Sequence, residues 1–393
     1  MTLMALGDTA EFINGAAFKP TDWGSDGLPI IRIQNLTGTG EKFNYTTRQV
    51  KANLIVEPGD LLVSWSATLD VYRWAGTRGL LNQHIFKVLP KPGIDPDYLF
   101  YALKTALSEL SGKTHGSTMK HVVRGDFEST QVAVPPLPEQ RRIVDLLSRA
   151  EGIVRLRREA EKKAAELIPA LFIDMFGDPA TNPKGWPTKK LGGFLSSIDS
   201  GHSPVCHAQK RLNQEWCVLK LSALTGSEYH ESEHKVLPEE VSPDHSVEVR
   251  RGDLLISRKN TAELVGTAAY VWDTQGKALL PDLIFRLNVA DSNRLNSIYL
   301  WSLLTLPAKR VQIKALASGS AGSMPNISKS RLRTLDIEIP PFDVQTTYTQ
   351  ALEQIMSIRS QQFTATAKAQ ATFDALLNRC FAPTDAIEAR SLD

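Results

Sequence analysis

Pro58-Gly59-Asp60-Leu61-Leu62-Val63-Ser64 returns later in the chain as Arg251-Gly252-Asp253-Leu254-Leu255-Ile256-Ser257. A Gly-Asp pair followed by an apolar run and a serine reads as one turn and one short strand used twice. The flanks repeat as well. Leu6-Gly7 and Ile13 match Leu191-Gly192 and Ile198, and Ile85-Phe86-Lys87-Val88 matches Ile284-Phe285-Arg286-Leu287. Tyr98-Leu99 pairs with Tyr299-Leu300, and Val134-Pro135-Pro136 with Ile339-Pro340-Pro341. The offset drifts from 185 to 205 residues along this series and then holds, as insertions in loops produce. The chain is a tandem duplication.

Each half reads as two parts. The first shows short β-type runs, Pro29-Ile30-Ile31-Arg32-Ile33, Asp60–Ser64 and His84–Val88, punctuated by Gly, Pro and Asn, with a helix around Tyr98–Ser111. This predicts an α+β globule. The second part is a long helix. Pro135-Pro136-Leu137-Pro138-Glu139 suits a helix start, and small or apolar residues recur at Ile143, Leu146, Ala150, Ile153, Ala160, Ala164, Leu167 and Leu171. The second copy repeats the stripe at Tyr348, Ala351, Ile355, Ile358, Ala365, Ala369 and Leu376. Each helix must reach the other half, so the expectation is two helices packed on each other, antiparallel. Against it stands the plainer arrangement in which each helix lies on its own globule.

Composition limits the function. With 393 residues and 42% hydrophobic content, several packed cores are expected and global disorder is excluded. Three widely spaced cysteines argue for a reducing compartment rather than a disulfide scaffold, and so for the cytoplasm. The first residues lack a basic stretch before an apolar block and do not read as a signal peptide; no run is long and apolar enough to span a bilayer. A net charge of +2 argues against a simple polyanion binder.

At this point the residues resemble a family. Phe12-Ile13-Asn14-Gly15, Pro29–Leu36, Gly59–Thr68, Leu80–Val88, Gly116–His121, Pro135-Pro136-Leu137-Pro138-Glu139-Gln140-Arg141-Arg142-Ile143 and Phe172–Gly177, in this order, resemble the specificity (S) subunit of type I restriction-modification systems. The second half departs from the pattern at Pro340-Pro341-Phe342-Asp343-Val344-Gln345, without the acidic-Gln pair. The resemblance implies two target-recognition domains, residues 1–137 and 178–341. They alternate with long helices at 138–177 and 342–381, and a flexible tail at 382–393 follows. The implied fold is α+β, with the two domains separated by an antiparallel two-helix coiled coil. Each domain would read half of a bipartite site in double-stranded DNA, and the helices would set the unread spacer. The implied partners are two methyltransferase subunits, which carry the S-adenosylmethionine, and restriction subunits beyond them. The chain itself would hold no cofactor, metal or catalytic residue.

Base readers are expected on loops bearing amide, guanidinium and ammonium groups. In the first domain these are Lys19, Gln34, Asn35, Trp65, Ser66, Asn82, Gln83, Ser117, Lys120 and His121. In the second they are Lys220, Ser222, Arg258, Lys259, Asn260, Ser323 and Asn326. Several of them, Asn82 and Gln83 among them, suit a purely structural role beside a strand equally well. Other motifs carry less. Gly112-Lys113-Thr114 lacks the upstream glycine of a phosphate loop, and Asn182-Pro183 and Asp178-Pro179 lack the second proline and aromatic residue of an adenine methyltransferase loop. His202, Cys206, His207 and Cys217 have no counterpart in the first copy and read as loop residues and a buried thiol. Arg124-Gly125-Asp126 and Arg251-Gly252-Asp253 read as turns. Two rivals remain open: a stand-alone DNA methyltransferase or nuclease, and a bivalent coiled-coil scaffold for two proteins.

Overall fold

The computed structural model describes every residue except 1, 41, 67, 114–123, 210, 213–214, 320–323 and 382–393. The expected tail lies outside these residues. The chain divides into two compact units, Met1–Glu159 with Thr364–Asp393 (unit 1) and Ala160–Phe363 (unit 2). The divisions fall inside the two long helices, Leu137–Phe176 and Phe342–Phe381, so each unit takes in part of both.

The repeated stretch organises each unit. In unit 1, Leu61–Ser64 lies between Ile85–Pro90 and Asp70–Arg73, and Ala10–Asn14 completes an antiparallel sheet of four. In unit 2, Leu254–Ser257 lies between Ile284–Val289 and Ala268–Tyr270, with Leu195–Asp199 outermost. The second sheets also correspond. Leu28–Ile31 pairs in parallel with Gly79–Leu81, and Cys217–Leu219 in parallel with Ala278–Leu279. Because strand side chains alternate between faces, the repeated strand feeds two cores at once. Leu61 and Val63 pack with Leu99, Leu103 and Leu107 of the helix Pro96–Lys113, while Leu62 packs with Ile31, Val56 and Leu81 between the sheets. Leu254 and Ile256 likewise meet Tyr299, Leu300 and Leu303, and Leu255 meets Cys217 and Leu219. Burial of each such side chain stabilises by about 1.5–3 kcal/mol. A one-residue slip would exchange the two cores, which is why the run tolerates no polar residue until Ser64 and Ser257.

A buried cation ties the sheets in both units. Lys87 Nζ reaches Asp60 Oδ2 at 2.6 Å and donates to the Ile55 carbonyl at 2.8 Å. Arg286, at the same strand position, donates to the Glu248 carbonyl at 2.9 Å and pairs with Asp253 at 3.3 Å. It also reaches Asp199 at 3.0 Å, the residue opposite it on the outer strand, where Lys87 has Ile13 opposite.

The long helices are fastened by a glutamine that the sequence motif conceals. Gln140 is 1% exposed; its Oε1 accepts from the Asp95 N–H (2.8 Å), and its Nε2 donates to the carbonyls of Gly93 (3.0 Å) and Pro135 (2.8 Å). Gln345 is fully buried and repeats each bond, to the Asn296 N–H (2.9 Å) and the carbonyls of Arg294 (3.3 Å) and Pro340 (2.9 Å). The acidic residue before it is dispensable; the amide is not. Gln345→Leu is expected to orphan these three backbone groups and lower stability by roughly 2 kcal/mol or more, read by urea denaturation. Glu139→Val, by contrast, is expected to leave the midpoint almost unmoved, since Glu139 and its partner Arg142 are exposed.

The helices pack on each other, antiparallel, and on the globules as well. In unit 1, Ile143, Leu147 and Val154 of the first meet Phe373, Leu377 and Phe381 of the second, over Tyr98, Tyr101 and Ala102. In unit 2, Phe172 and Phe176 near the end of the first helix join Tyr348 and Leu352 near the start of the second, around Tyr299. The expected seam holds at Ile143 and Tyr348, which are buried, and is corrected elsewhere: Leu146, Ile153, Leu167 and Ile358 are exposed, whereas Leu147, Val154, Leu352 and Phe373 are buried. The buried stripe is set by the globule's aromatic side chains as well as by the partner helix, so it is wider than a two-strand seam and displaced from it. Among the described residues, no helix is long and apolar enough to cross a membrane.

Candidate nucleic-acid interface

The repeated strands deliver the chain directly to five of the expected base readers, Trp65, Ser66, Arg258, Lys259 and Asn260. In unit 2, Leu254–Ser257 runs into Arg258, Lys259 and Asn260. Arg258 is held on several sides. Its N–H donates to the Leu283 carbonyl (2.8 Å), its Nε donates to Asn326 Oδ1 (3.0 Å), and its guanidinium carbon lies 5.5 Å from the centre of the Phe285 ring. Asn260 N–H reaches the Pro325 carbonyl at 3.4 Å, and Lys259 and Asn326 face each other in a lone antiparallel bridge. The structure therefore gathers Arg258, Lys259, Asn260 and Asn326 into one cluster, with the Lys259 side chain exposed. Part of this cluster is structural. Asn260 Oδ1 is engaged by the Thr261 N–H (2.8 Å), and Asn326 spends its carbonyl oxygen on Arg258.

Unit 1 places different chemistry on the same frame. Trp65 follows the strand Leu61–Ser64 and stacks on Phe86 (centroids 5.7 Å, 24°) next to His84 (5.0 Å). Its N–H donates to the His84 carbonyl at 3.2 Å, which ties the loop bearing Trp65 and Ser66 to the loop bearing Asn82 and Gln83. Gln83 is exposed, while Asn82 turns its Oδ1 onto the Gln83 N–H (2.9 Å).

A glycine lets these loops close in both units. A Cβ on Gly15 would sit 1.9 Å from the Asn82 carbonyl oxygen, and one on Gly201 would sit 1.8 Å from that of Leu280. No side chain fits there. The loop after the outer strand thus docks on the loop that precedes Ile85 or Ile284. In unit 2 it brings the Ser203 hydroxyl onto the Asp282 carboxylate.

The remaining candidates have other surroundings. Asn35 accepts from the Arg32 N–H (3.0 Å) and donates to the Gly40 carbonyl (3.0 Å), which makes it the staple of the short helix Ile33–Thr37. Gln34, on the same helix, is exposed. Lys19 is exposed at the start of a 3-10 turn, where its N–H meets Asp22 (2.8 Å). Lys220 and Ser222 both engage Glu233, at 4.0 and 2.6 Å. Ser117, Lys120, His121 and Ser323 lie outside the described residues.

Sequence reasoning passed over one repeated pair. Arg124 places its guanidinium carbon 5.6 Å from the centre of the Phe86 ring, and Lys329 its ammonium 5.5 Å from that of Phe285. The two positions stand at the same offset of 205 as the paired prolines, and that offset was the available signal. Arg124 also opens the helix Arg124–Ser129, which corrects the reading of its Arg-Gly-Asp triplet as a turn. The other triplet is a turn, with Gly252 at φ +95° and Asp253 accepting from the Arg250 N–H at 2.9 Å. Among the described residues, no group of three or more His, Cys, Asp or Glu is placed to hold a metal ion. Cys217 is buried, and burial pushes its thiol up to about 11.

The comparisons with known proteins agree with this duplicated frame. A family model for the type I restriction modification DNA specificity domain matches residues 1–166 and again 183–369. The type I restriction enzyme EcoEI specificity subunit of Escherichia coli is 30% identical over 251 residues, covering 61% of this chain and 42% of that protein. The MjaVIII specificity subunit of Methanocaldococcus jannaschii is 30% identical over 158 residues, 39% of this chain and 36% of the relative. The chain thus spans about two fifths of these curated relatives. The crystal structure of the type I restriction-modification S subunit from M. genitalium shares the fold with a TM-score of 0.58 and 12% identity, covering 98% of this chain and 96% of that one. With its two matches to the family model, one for each half of the repeat, the chain belongs to the type I restriction-modification DNA specificity domain family.

Proposed function

We propose that this chain is the DNA-reading subunit of a type I restriction-modification complex, with each recognition domain reading one half of a bipartite site. One observation carries the reading: a single scaffold appears twice, with its strands, buried cation and Gly-Gln fastenings kept, while the loop positions diverge. Trp65-Ser66 stands where the second copy has Arg258-Lys259, and Asn82-Gln83 where it has Pro281-Asp282. A frame held constant under varied hydrogen-bonding loops is what two different half-sites require, because base edges are told apart by donor and acceptor pattern. The segments 1–137 and 178–341 are the readers in this proposal. The helices 138–177 and 342–381 set the spacer and dock two methyltransferase subunits, which bring the S-adenosylmethionine. The chain is then non-catalytic; its sequence holds no Asn/Asp-Pro-Pro-aromatic loop for a flipped adenine. A charge of +2 suits a subunit that supplies discrimination and leaves much of the phosphate grip to its partners.

Reconstitution with the neighbouring methyltransferase subunits tests this. The complex is expected to select one bipartite sequence from random DNA; equal binding to all sequences would favour the protein scaffold. S-adenosylmethionine binding by the purified chain alone would favour the stand-alone enzyme. Within such a complex, Arg258→Ala is expected to relax discrimination by about 1–3 kcal/mol at one or two positions of a single half-site. Competition binding with singly substituted duplexes reads this out, and an equal loss across both half-sites would count against Arg258 as a base reader.

A further inference from the structure

Unit 2 contains a cleft whose counterpart in unit 1 is served by the chain itself. The cleft has a volume of about 310 Å³, and its lining includes Trp272, Trp301, Phe363, Glu161, Glu228 and Arg359. The two tryptophans meet edge to face at 5.8 Å. Glu228 is neutralised by Arg359, whose Nη2 lies 2.7 Å away. Glu161 has no such partner: its Oε1 is buried and makes no hydrogen bond. Two carboxylates against one guanidinium leave the cleft with an excess negative charge among aromatic side chains.

The duplication supplies the comparison. Phe100 stands two residues after Tyr98 as Trp301 stands two after Tyr299, and Arg73 pairs opposite Leu61 as Tyr270 does opposite Leu254. Lys104 and Thr305 are likewise equivalent, each six residues beyond that tyrosine. In unit 1 the aromatic faces have cations on them. Arg73 lies 5.9 Å from the Phe100 ring centre, and Lys104 lies 5.7 Å from that of Phe100 and 5.6 Å from that of Phe373. Lys104 also meets the helix carboxylate of Glu151 at 3.5 Å. In unit 2 both of those basic positions are neutral, Tyr270 and Thr305, and Met356 stands where unit 1 has Glu151; the aromatic wall remains, and the unpaired carboxylate comes instead from Glu161 on the first long helix.

We infer that this cleft binds an organic cation, an alkylammonium or guanidinium group carried by another molecule. Ring faces attract such a cation most strongly where water is excluded, and a buried carboxylate oxygen without a donor is costly until one arrives. The lining excludes an anion, and one free carboxylate among aromatic rings is no ligand set for a hard metal ion. The charge has two sources of the same chemistry, a free polyamine or a Lys or Arg side chain of a partner polypeptide. The expected base readers do not line this cleft, so the inference stands or falls apart from the DNA reading.

Tryptophan fluorescence of the full chain, titrated with spermidine, acetyl-lysine amide or acetyl-arginine amide, tests it. A saturable change is expected for at least one of them. Glu161→Gln, which keeps the shape and removes the charge, is expected to weaken that binding about tenfold. Glu159→Gln, at an exposed carboxylate paired with Arg155, is expected to leave it unchanged. An unshifted melting temperature shows that the variants remain folded. Tighter binding of spermidine assigns the site to a polyamine, and tighter binding of a capped amino acid assigns it to a partner's side chain. No saturable response in the millimolar range, or a response that Glu161→Gln leaves intact, overturns the inference.

Discussion

Replacing Arg286 with methionine is expected to destabilise unit 2 by roughly 3–5 kcal/mol, because it strips a buried cation from two carboxylates at once. Asp253 and Asp199 both depend on this guanidinium, which also donates to the carbonyls of Glu248 (2.9 Å) and Ser246 (2.8 Å). Methionine fills much of the volume and supplies none of the donors. Arg286→Lys is expected to cost less. A single ammonium can hold Asp253 and the Glu248 carbonyl, as Lys87 holds Asp60 and the Ile55 carbonyl, and only the Asp199 arm is lost. The matching Lys87→Met change releases one carboxylate and is expected to be milder than Arg286→Met.

The pH dependence follows from the two carboxylates. Burial raises Asp253 above the usual carboxylate value, and the backbone bond from Arg250 and the charge of Arg286 work against that rise. Asp199 is also opposed by burial, but hydrogen bonds from Ser197, Asn288 and Arg286 hold it below the usual value. A lowered pKa contributes stability above the unfolded value and loses it as the pH falls through the folded one; a raised pKa does the reverse. Without Arg286 both carboxyls shift upward, so the variant's deficit is largest at neutral pH and shrinks as the solution approaches pH 4. Urea denaturation at both pH values measures this. A deficit that does not change with pH would mean that packing, not the ion pairs, carries the effect.

The duplication was legible because apolar strand residues and Gly-Asp turns constrain their own neighbours; Leu61-Leu62-Val63 and Leu254-Leu255-Ile256 reveal their two-faced burial in the sequence itself. Gln345 was not legible as a fastening. Its partners are backbone groups of Arg294, Asn296 and Pro340, and the first two lie far away in the chain. Val344 in place of an acidic residue made the motif look broken, although the acid is the exposed and replaceable member. The helix seam was read correctly at Ile143 and Tyr348 but missed by one position at Leu146 and Ile153, because side chains of the globule, Tyr98 and Tyr101 among them, decide which stripe is buried. The candidate site was legible as loops and not as contacts. Polar loop residues divide between holding the loop and facing outward, and only the fold separates Asn35, a staple, from Gln34, its exposed neighbour.

On the proposed function, exchange of residues 1–137 for the matching segment of another family member is expected to replace one half of the DNA site and preserve the other half and the spacer. Every base pair changed in the replaced half costs the old site about 1–3 kcal/mol, so the original sequence should fall out of selection altogether. The exchange succeeds only if the donor can dock on what remains. Tyr98 packs on Phe381 (5.1 Å) and donates its hydroxyl to the Ala133 carbonyl, while Gln140 needs the Asp95 N–H and the Gly93 carbonyl in place. A donor with a tyrosine and a backbone cap at these positions meets both conditions. A donor lacking the tyrosine is expected to leave Phe373, Leu377 and Phe381 without part of their cover and to lower stability before DNA is added. Selection from random duplexes by the reconstituted complex reads both halves and the spacer together. A change confined to one half would separate reading from spacing physically, because the long helices that we propose as the spacer are the same in parent and exchange. A change in both halves would mean that the recognition domains read DNA only as a pair.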